Sequence, residues 1–273
     1  MKTLTRRFAR AAAVIGLAAL SAAFATLPAS AQEAKASTGD KPTIVLVHGA
    51  FAESASWDGV IRKLEAQHYP VIAAANPLRG VKSDAAYVAG IVDSVKGPVV
   101  LVGHSYGGAV ISGAATGKAN VKALVYVAAF APEAGESAAD LAGKFPGSTL
   151  GPALAPPVAL ADGGKDLYIL KNRFHDQFAA DVPAAAARLM AATQRPIAEA
   201  ALGEPAAASP AWKTVPSWFV YGDRVKNIPP AVQAFMAERA KSVKTVVVKG
   251  ASHVVMTSKP DVVAKLIAEA ASR

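Results

Sequence analysis

Apolar runs of strand length alternate with stretches of helical period along most of this chain. Thr43–His48 (TIVLVH) is apolar and rich in β-branched residues, the pattern of a strand buried on both faces. Trp57–Gln67 carries Val60, Ile61 and Leu64 on one side and reads as an amphipathic helix. Val71–Ala75 predicts a second, weaker strand, Ser83–Val95 a second helix, and Val99–Val102 (VVLV) a third strand. Ala109–Thr116 begins the next helix, and Ala123–Ala128 (ALVYVA) is the fourth strand. From Ala131 to about Thr214 the rhythm changes. Pro and Gly cluster in 143–164, helical stretches follow around 167–179 and 184–202, and no clear strand is legible. A strand at Ser217–Tyr221 (SWFVY), a helix at Pro230–Ala240, a strand at Lys244–Val248 and a helix at Pro260–Ala271 restore the alternation. Such alternation predicts an α/β fold, a parallel sheet with helices on its faces, built from 32–130 and 215–273. Residues 131–214 are then an inserted, mainly helical cap.

The N-terminus changes this picture. Lys2, Arg6, Arg7 and Arg10 precede an Ala-rich apolar stretch, Ala11–Ala25, and Pro28 is followed by the small-x-small triplet Ala29-Ser30-Ala31. This is the layout of a signal peptide over 1–31, cleaved before Gln32 and implying a periplasmic or secreted protein; an uncleaved anchor is the alternative. The stretch is too short and too Ala-rich for a comfortable membrane span. The layout is that of a Sec signal; Arg6-Arg7 raises a twin-arginine route as the alternative, but Phe8 sits one place too early for that pattern and the signal is weak.

The 273 residues are 52% hydrophobic and 18% charged, enough for a sizeable core. Without the leader, 25 basic residues face 20 acidic ones, and the basic residues are scattered. Nucleic-acid binding gains no support from that, and no membrane partner is expected after processing. No Cys occurs, so stability rests on the core without disulfides.

Gly103-His104-Ser105-Tyr106-Gly107 follows the third strand directly and opens a helix. A G-x-S-x-G pentapeptide in that context is a nucleophile elbow, which lifts the Ser105 Oγ clear of the sheet above a helix N-terminus. His48-Gly49-Ala50-Phe51 ends the first strand, where one oxyanion-hole amide is expected. Ala50 and Tyr106 are the candidate donors, with Phe51 beside the substrate.

Of five histidines, His253 lies just after the last strand, where a general base reaches back to the nucleophile. His68 reads as a surface turn residue, His104 as part of the elbow and His48 as a buttress of the oxyanion loop. His175, within the cap, reads either as a packed helix residue or as a pocket wall. Asp223 is the only carboxylate in the loop after Ser217–Tyr221 and is the candidate third member of a triad. Glu133 is its reserve. No metal or cofactor is expected.

These motifs resemble the α/β-hydrolase superfamily, and within it a bacterial branch related to plant methyl-ester esterases and hydroxynitrile lyases. The resemblance rests on VLVHGAF with Trp57, VVLVGHSYGG (99–108), LVYVAAFAPEAGES (124–137), FHDQFAADVP (174–183) and SHVVMTSKP (252–260). It implies an acid at position 225, before Ile228-Pro229-Pro230, where this chain has Val225. It also implies Thr at 49 and Lys at 254 in the lyase branch, where this chain has Gly49 and Val254. The expectation is therefore a carboxylesterase that hydrolyses a small-molecule ester through an acyl-enzyme on Ser105. Lyase or C–C/C–N cleavage on the same fold, or a binding protein with an impaired triad, are the competing readings.

Overall fold

The computed structural model describes residues 41–206 and 208–273; the signal-peptide expectation falls outside them. Six parallel strands form the main sheet: β1 (Thr43–Val47), β2 (Val71–Ala74), β3 (Val99–His104), β4 (Val121–Val127), β8 (Ser217–Gly222) and β9 (Lys244–Val248). Their order is β2-β1-β3-β4-β8-β9. Ile44–Val47 and Val99–Val102 have no exposed surface, because helices cover both faces of the sheet. The covering helices are α1 (Asp58–Glu65), α2 (Val81–Ser94), α3 (Tyr106–Ala114), α8 (Pro230–Arg239) and α10 (Pro260–Ala271), with a short α9 (Val255–Ser258) after β9.

This order reverses direction once. From β1 the chain steps outward to β2, then returns to place β3 on the other flank of β1. The carboxyl ends of β1 and β3 therefore diverge and open a crevice, the usual place for a ligand in such sheets. The loop Ala50–Phe51 and the Ser105 turn issue from those two ends.

The insertion, expected to be mainly helical with no clear strand, also contains short strands. It carries α4 (Ala138–Gly143), α5 (Lys171–Phe178), α6 (Ala184–Thr193) and α7 (Glu199–Gly203), but also an antiparallel sheet of β5 (Val158–Ala159), β6 (Lys165–Leu167) and β7 (Ile197–Ala198). Strands of two or three residues, with Val158 and Ala159 exposed, leave no hydrophobic alternation to read. The Trp212 indole N–H donates to the Pro132 carbonyl at 2.9 Å, and Ala206 and Gly135 exchange bonds with residues 136 and 206. The entry and exit of the insertion are thus tied together.

Candidate active site

Ser105 sits between β3 and α3 with φ 53° and ψ −124°, a backbone conformation that costs a non-glycine residue about 1–3 kcal/mol. Its surroundings enforce it. The Ser105 N–H donates to the Val127 carbonyl at 3.2 Å, and its carbonyl accepts from Gly108 at 3.0 Å and Phe130 at 3.1 Å. The flanking glycines are steric necessities. A Cβ on Gly103 would lie 2.5 Å from the Gly107 carbonyl oxygen, and one on Gly107 would lie 2.5 Å from that of Val47.

His253 Nε2 lies 2.9 Å from Ser105 Oγ, across 148 residues of sequence. For the hydroxyl to donate there, the imidazole proton must be on Nδ1. The His253 ring is fully buried, and burial, reinforced by the His104 ring, holds its pKa well below the usual histidine range. It is therefore neutral and able to accept the serine proton. His104 contributes from below the elbow: its Nε2 bonds the His253 carbonyl at 3.1 Å, and the rings are 4.8 Å apart. Phe178, from the cap, stands edge-on to the His253 ring at 5.1 Å.

Gly49 passes against the elbow, where a Cβ would meet both the His104 carbonyl oxygen and Ser105 Cβ at 2.6 Å. This brings the loop holding Ala50 beside the start of α3. Among the described residues, the Ala50 and Tyr106 amides donate to no backbone carbonyl, as oxyanion donors require. Phe51, at φ 60°, donates its N–H to the Arg195 carbonyl at 3.0 Å, which ties the loop to the cap. Asn76 Nδ2 donates to the His48 carbonyl at 2.9 Å, while the His48 ring is buried and bonds the Gly49 carbonyl.

The acid does not fall where the sequence suggested. Asp223 Oδ1 accepts the Gly250 N–H at 2.6 Å, and His253 Nδ1 is buried without a hydrogen-bond partner. The cause is local. Gly222 lies so close to Ala251 that a Cβ there would be 2.0 Å from its carbonyl oxygen, and the Asp223 N–H bonds Val248. Asp223 is thus held beside β9, where it braces the turn at Gly250 (φ 77°). Two residues on, Val225, which stands where the family resemblance implies an acid, is buried. Glu133 is no substitute: its carboxylate pairs with Lys213 at 2.5 Å, which draws its pKa down.

Ser105 opens into a narrow cavity of about 60 Å³ bordered by Ala50, Phe51, Phe130, Leu150, Leu202 and Ile228. The amide of Asn227, bonded to Gln177 at 3.1 Å, is the one polar side chain on this wall besides Ser105 and the Tyr106 phenol. His175 is not on it. Its Nε2 donates to the Val182 carbonyl at 2.9 Å and pins the corner between α5 and α6, the packed-helix alternative for this residue. A larger hollow between α2 and α3 has neither Ser105 nor His253 on its wall.

Sequence reasoning missed Asp84. This buried carboxylate of α2 accepts the Tyr106 hydroxyl at 3.0 Å and the Arg79 N–H at 3.1 Å, and burial raises its pKa. Arg79 in turn reaches Asp166 on β6 at 2.6 Å. Tyr106 is so linked to both core and cap. An acid in the first turn of a helix carries no sign of that role in the sequence.

Burial has a consequence for stability. It lowers the pKa of His48 to about 4 and of His104 to about 3, and that of His253 well below the ordinary value. In the unfolded chain each would take a proton near pH 6.5. The unfolded state thus binds more protons than the folded one below that pH, and stability falls on acidification. The expected slope is up to about 1.4 kcal/mol per pH unit for each histidine, between about pH 6.5 and 4. Urea unfolding midpoints at pH 7.5, 6 and 5 check this; an unchanged midpoint would contradict it.

A family model described as Alpha/beta hydrolase family matches residues 44–266. No curated protein matches the sequence. Among solved structures, polyneuridine aldehyde esterase superposes with a TM-score of 0.71 at 18% identity, covering 84% of this chain and 98% of its own. A pyrethroid hydrolase from Sphingobium faniae JZ-2 gives 0.67 at 23% identity, covering 85% and 97%. An extracellular α/β-hydrolase from a Paenibacillus species gives 0.67 at 21% identity, covering 85% and 100%. At such identities the likeness is one of fold.

Proposed function

The chain belongs to the alpha/beta hydrolase family, and we propose that within it the protein is a serine carboxylic-ester hydrolase acting on small, uncharged esters. The observation that carries this reading is the 2.9 Å contact between Ser105 Oγ and the neutral imidazole of His253, at the sheet's reversal point. Ser105 Oγ attacks the ester carbonyl carbon as its proton passes to His253 Nε2. The Ala50 and Tyr106 amides face the oxyanion, and the imidazolium returns the proton to the departing alcohol. Water, deprotonated by the same nitrogen, then releases the acid and restores Ser105.

The cavity wall supports the substrate class. It bears no charged side chain, and a buried carboxylate or ammonium on the substrate would be left unpaired there. The cavity beside Ser105 is small, about 60 Å³, which favours short acyl chains over long ones. The lyase alternative finds less support. No Cβ fits at Gly49 in this backbone, and the residue after the base is the buried, uncharged Val254.

A fluorophosphonate probe and a series of p-nitrophenyl esters test the proposal. Ser105 should be labelled stoichiometrically, and acetate and butyrate esters should turn over at least about tenfold faster than octanoate. Absence of labelling in folded protein rules out the reading.

A further inference from the structure

Four contacts hold His253, and none is the carboxylate a triad would place on Nδ1. Its Nε2 meets Ser105, its carbonyl meets His104, and its ring is flanked by His104 and Phe178. The fourth acts through its neighbour. Asp181 Oδ1 accepts both the backbone N–H of Ser252 at 3.0 Å and its hydroxyl at 2.5 Å. Asp181 belongs to the cap, in the corner between α5 and α6, whereas Ser252 belongs to the core. The second oxygen, Oδ2, is buried and accepts no hydrogen bond.

A carboxylate that accepts two hydrogen bonds on one oxygen and leaves the other buried and unpaired is expensive to keep for packing alone. Two donors on adjacent groups of one residue fix both the position and the rotation of that residue's backbone. The residue so fixed immediately precedes the base. We propose that Asp181 is a positioning residue for His253, holding Nε2 on Ser105 through Ser252 in a site whose usual acid position is Val225. This rests on the ester-hydrolase reading of Ser105 and His253. It assigns the cap a part in assembling the base besides shaping the cavity.

Three variants and one activity-independent readout test it. Asp181→Ala should lower kcat for a short p-nitrophenyl ester by about tenfold with KM within about twofold, since the bonded group is remote from the bound ester. Asp181→Asn keeps an oxygen acceptor for Ser252 and should restore most of that loss. Ser252→Ala, which removes the hydroxyl donor but not the amide, should lose about threefold. The side-chain nitrogen NMR signals of His253 should show the Nδ1–H form in the wild type and a mixture of tautomers in Asp181→Ala. Unaltered kcat in Asp181→Ala, a loss in Asp181→Asn as large as in Asp181→Ala, or an unchanged tautomer population would overturn the proposal. Should Asp181→Ala fail to fold, the Asp181→Asn and Ser252→Ala pair and their NMR signals decide. Because the tautomer is read without turnover, an inactive wild type would sink the esterase reading while the positioning role is still judged.

Discussion

Replacing Ser105 with alanine should reduce ester hydrolysis by at least about four orders of magnitude, with the melting temperature within a few degrees of the wild type. Removal of the nucleophile from a comparable Ser–His system costs about 10⁶ in kcat, while oxyanion donors and binding retain some acceleration. The backbone strain at Ser105 is set by Gly103, Gly107 and three main-chain hydrogen bonds, all of which survive the substitution. Alanine meets the same positive φ with a Cβ of its own, so the turn is neither relieved nor further stressed. What is lost is one hydrogen bond, which leaves Nε2 of a buried imidazole unpaired at a cost of about 1–3 kcal/mol. Steady-state rates with active-site titration, alongside thermal melts, separate the two effects. Retention of even a tenth of the activity would remove Ser105 from the mechanism.

Introducing an acid at Val225 is the second large effect. Val225→Asp should raise kcat by at least about tenfold, because loss of the acid in comparable triads costs about 10⁴. Position 225 is where the family resemblance implies the acid. Val225 is buried, the preceding residue donates its N–H to the Ala251 carbonyl at 3.2 Å, and His253 Nδ1 is buried and unpartnered. A carboxylate there would accept the Nδ1 proton and stabilise the imidazolium. Stability should fall by a few kcal/mol if the new charge stays unpaired, and much less if it meets Nδ1. Asp223→Asn, in contrast, should change kcat by less than about twofold, because Asp223 serves Gly250. A strongly impaired Asp223→Asn together with an unimproved Val225→Asp would show that the loop rearranges during turnover to bring Asp223 onto the base.

The sheet, the turn at Ser105 and the meeting of His253 with Ser105 were legible in the sequence for one physical reason. Each depends on a contiguous run whose chemistry repeats at short range: apolar strands, Gly–x–Ser–x–Gly after one of them, and a histidine after another. The failures share the opposite character. Asp223 is a candidate by its place in a loop, but whether a loop carboxylate faces inward depends on how closely Gly222 approaches Ala251, a contact between the ends of neighbouring strands that are distant in sequence. His175 has no helical-face signal that separates packing from substrate contact, and its partner proved to be the Val182 carbonyl. Asp84 and Asp181 act through hydrogen bonds to residues 22 and 71 positions away, which no local pattern encodes. The cap strands are too short for any periodicity to show.

From the insertion, Phe178 packs on the His253 ring and Asp181 holds the preceding Ser252, and Phe51 bonds the Arg195 carbonyl of that same insertion. This interdependence limits how such an enzyme can acquire new specificity. Caps on this sheet are often imagined as exchangeable modules, grafted onto a constant engine to admit a different ester. In this protein a transplanted cap would carry off supports of the machinery it was meant only to cover. A chimera would then lose speed for reasons unrelated to the fit of its substrate. New specificity is more safely sought by point changes at Leu150, Leu202 or Ile228, which line the cavity and are not among the residues that hold His253.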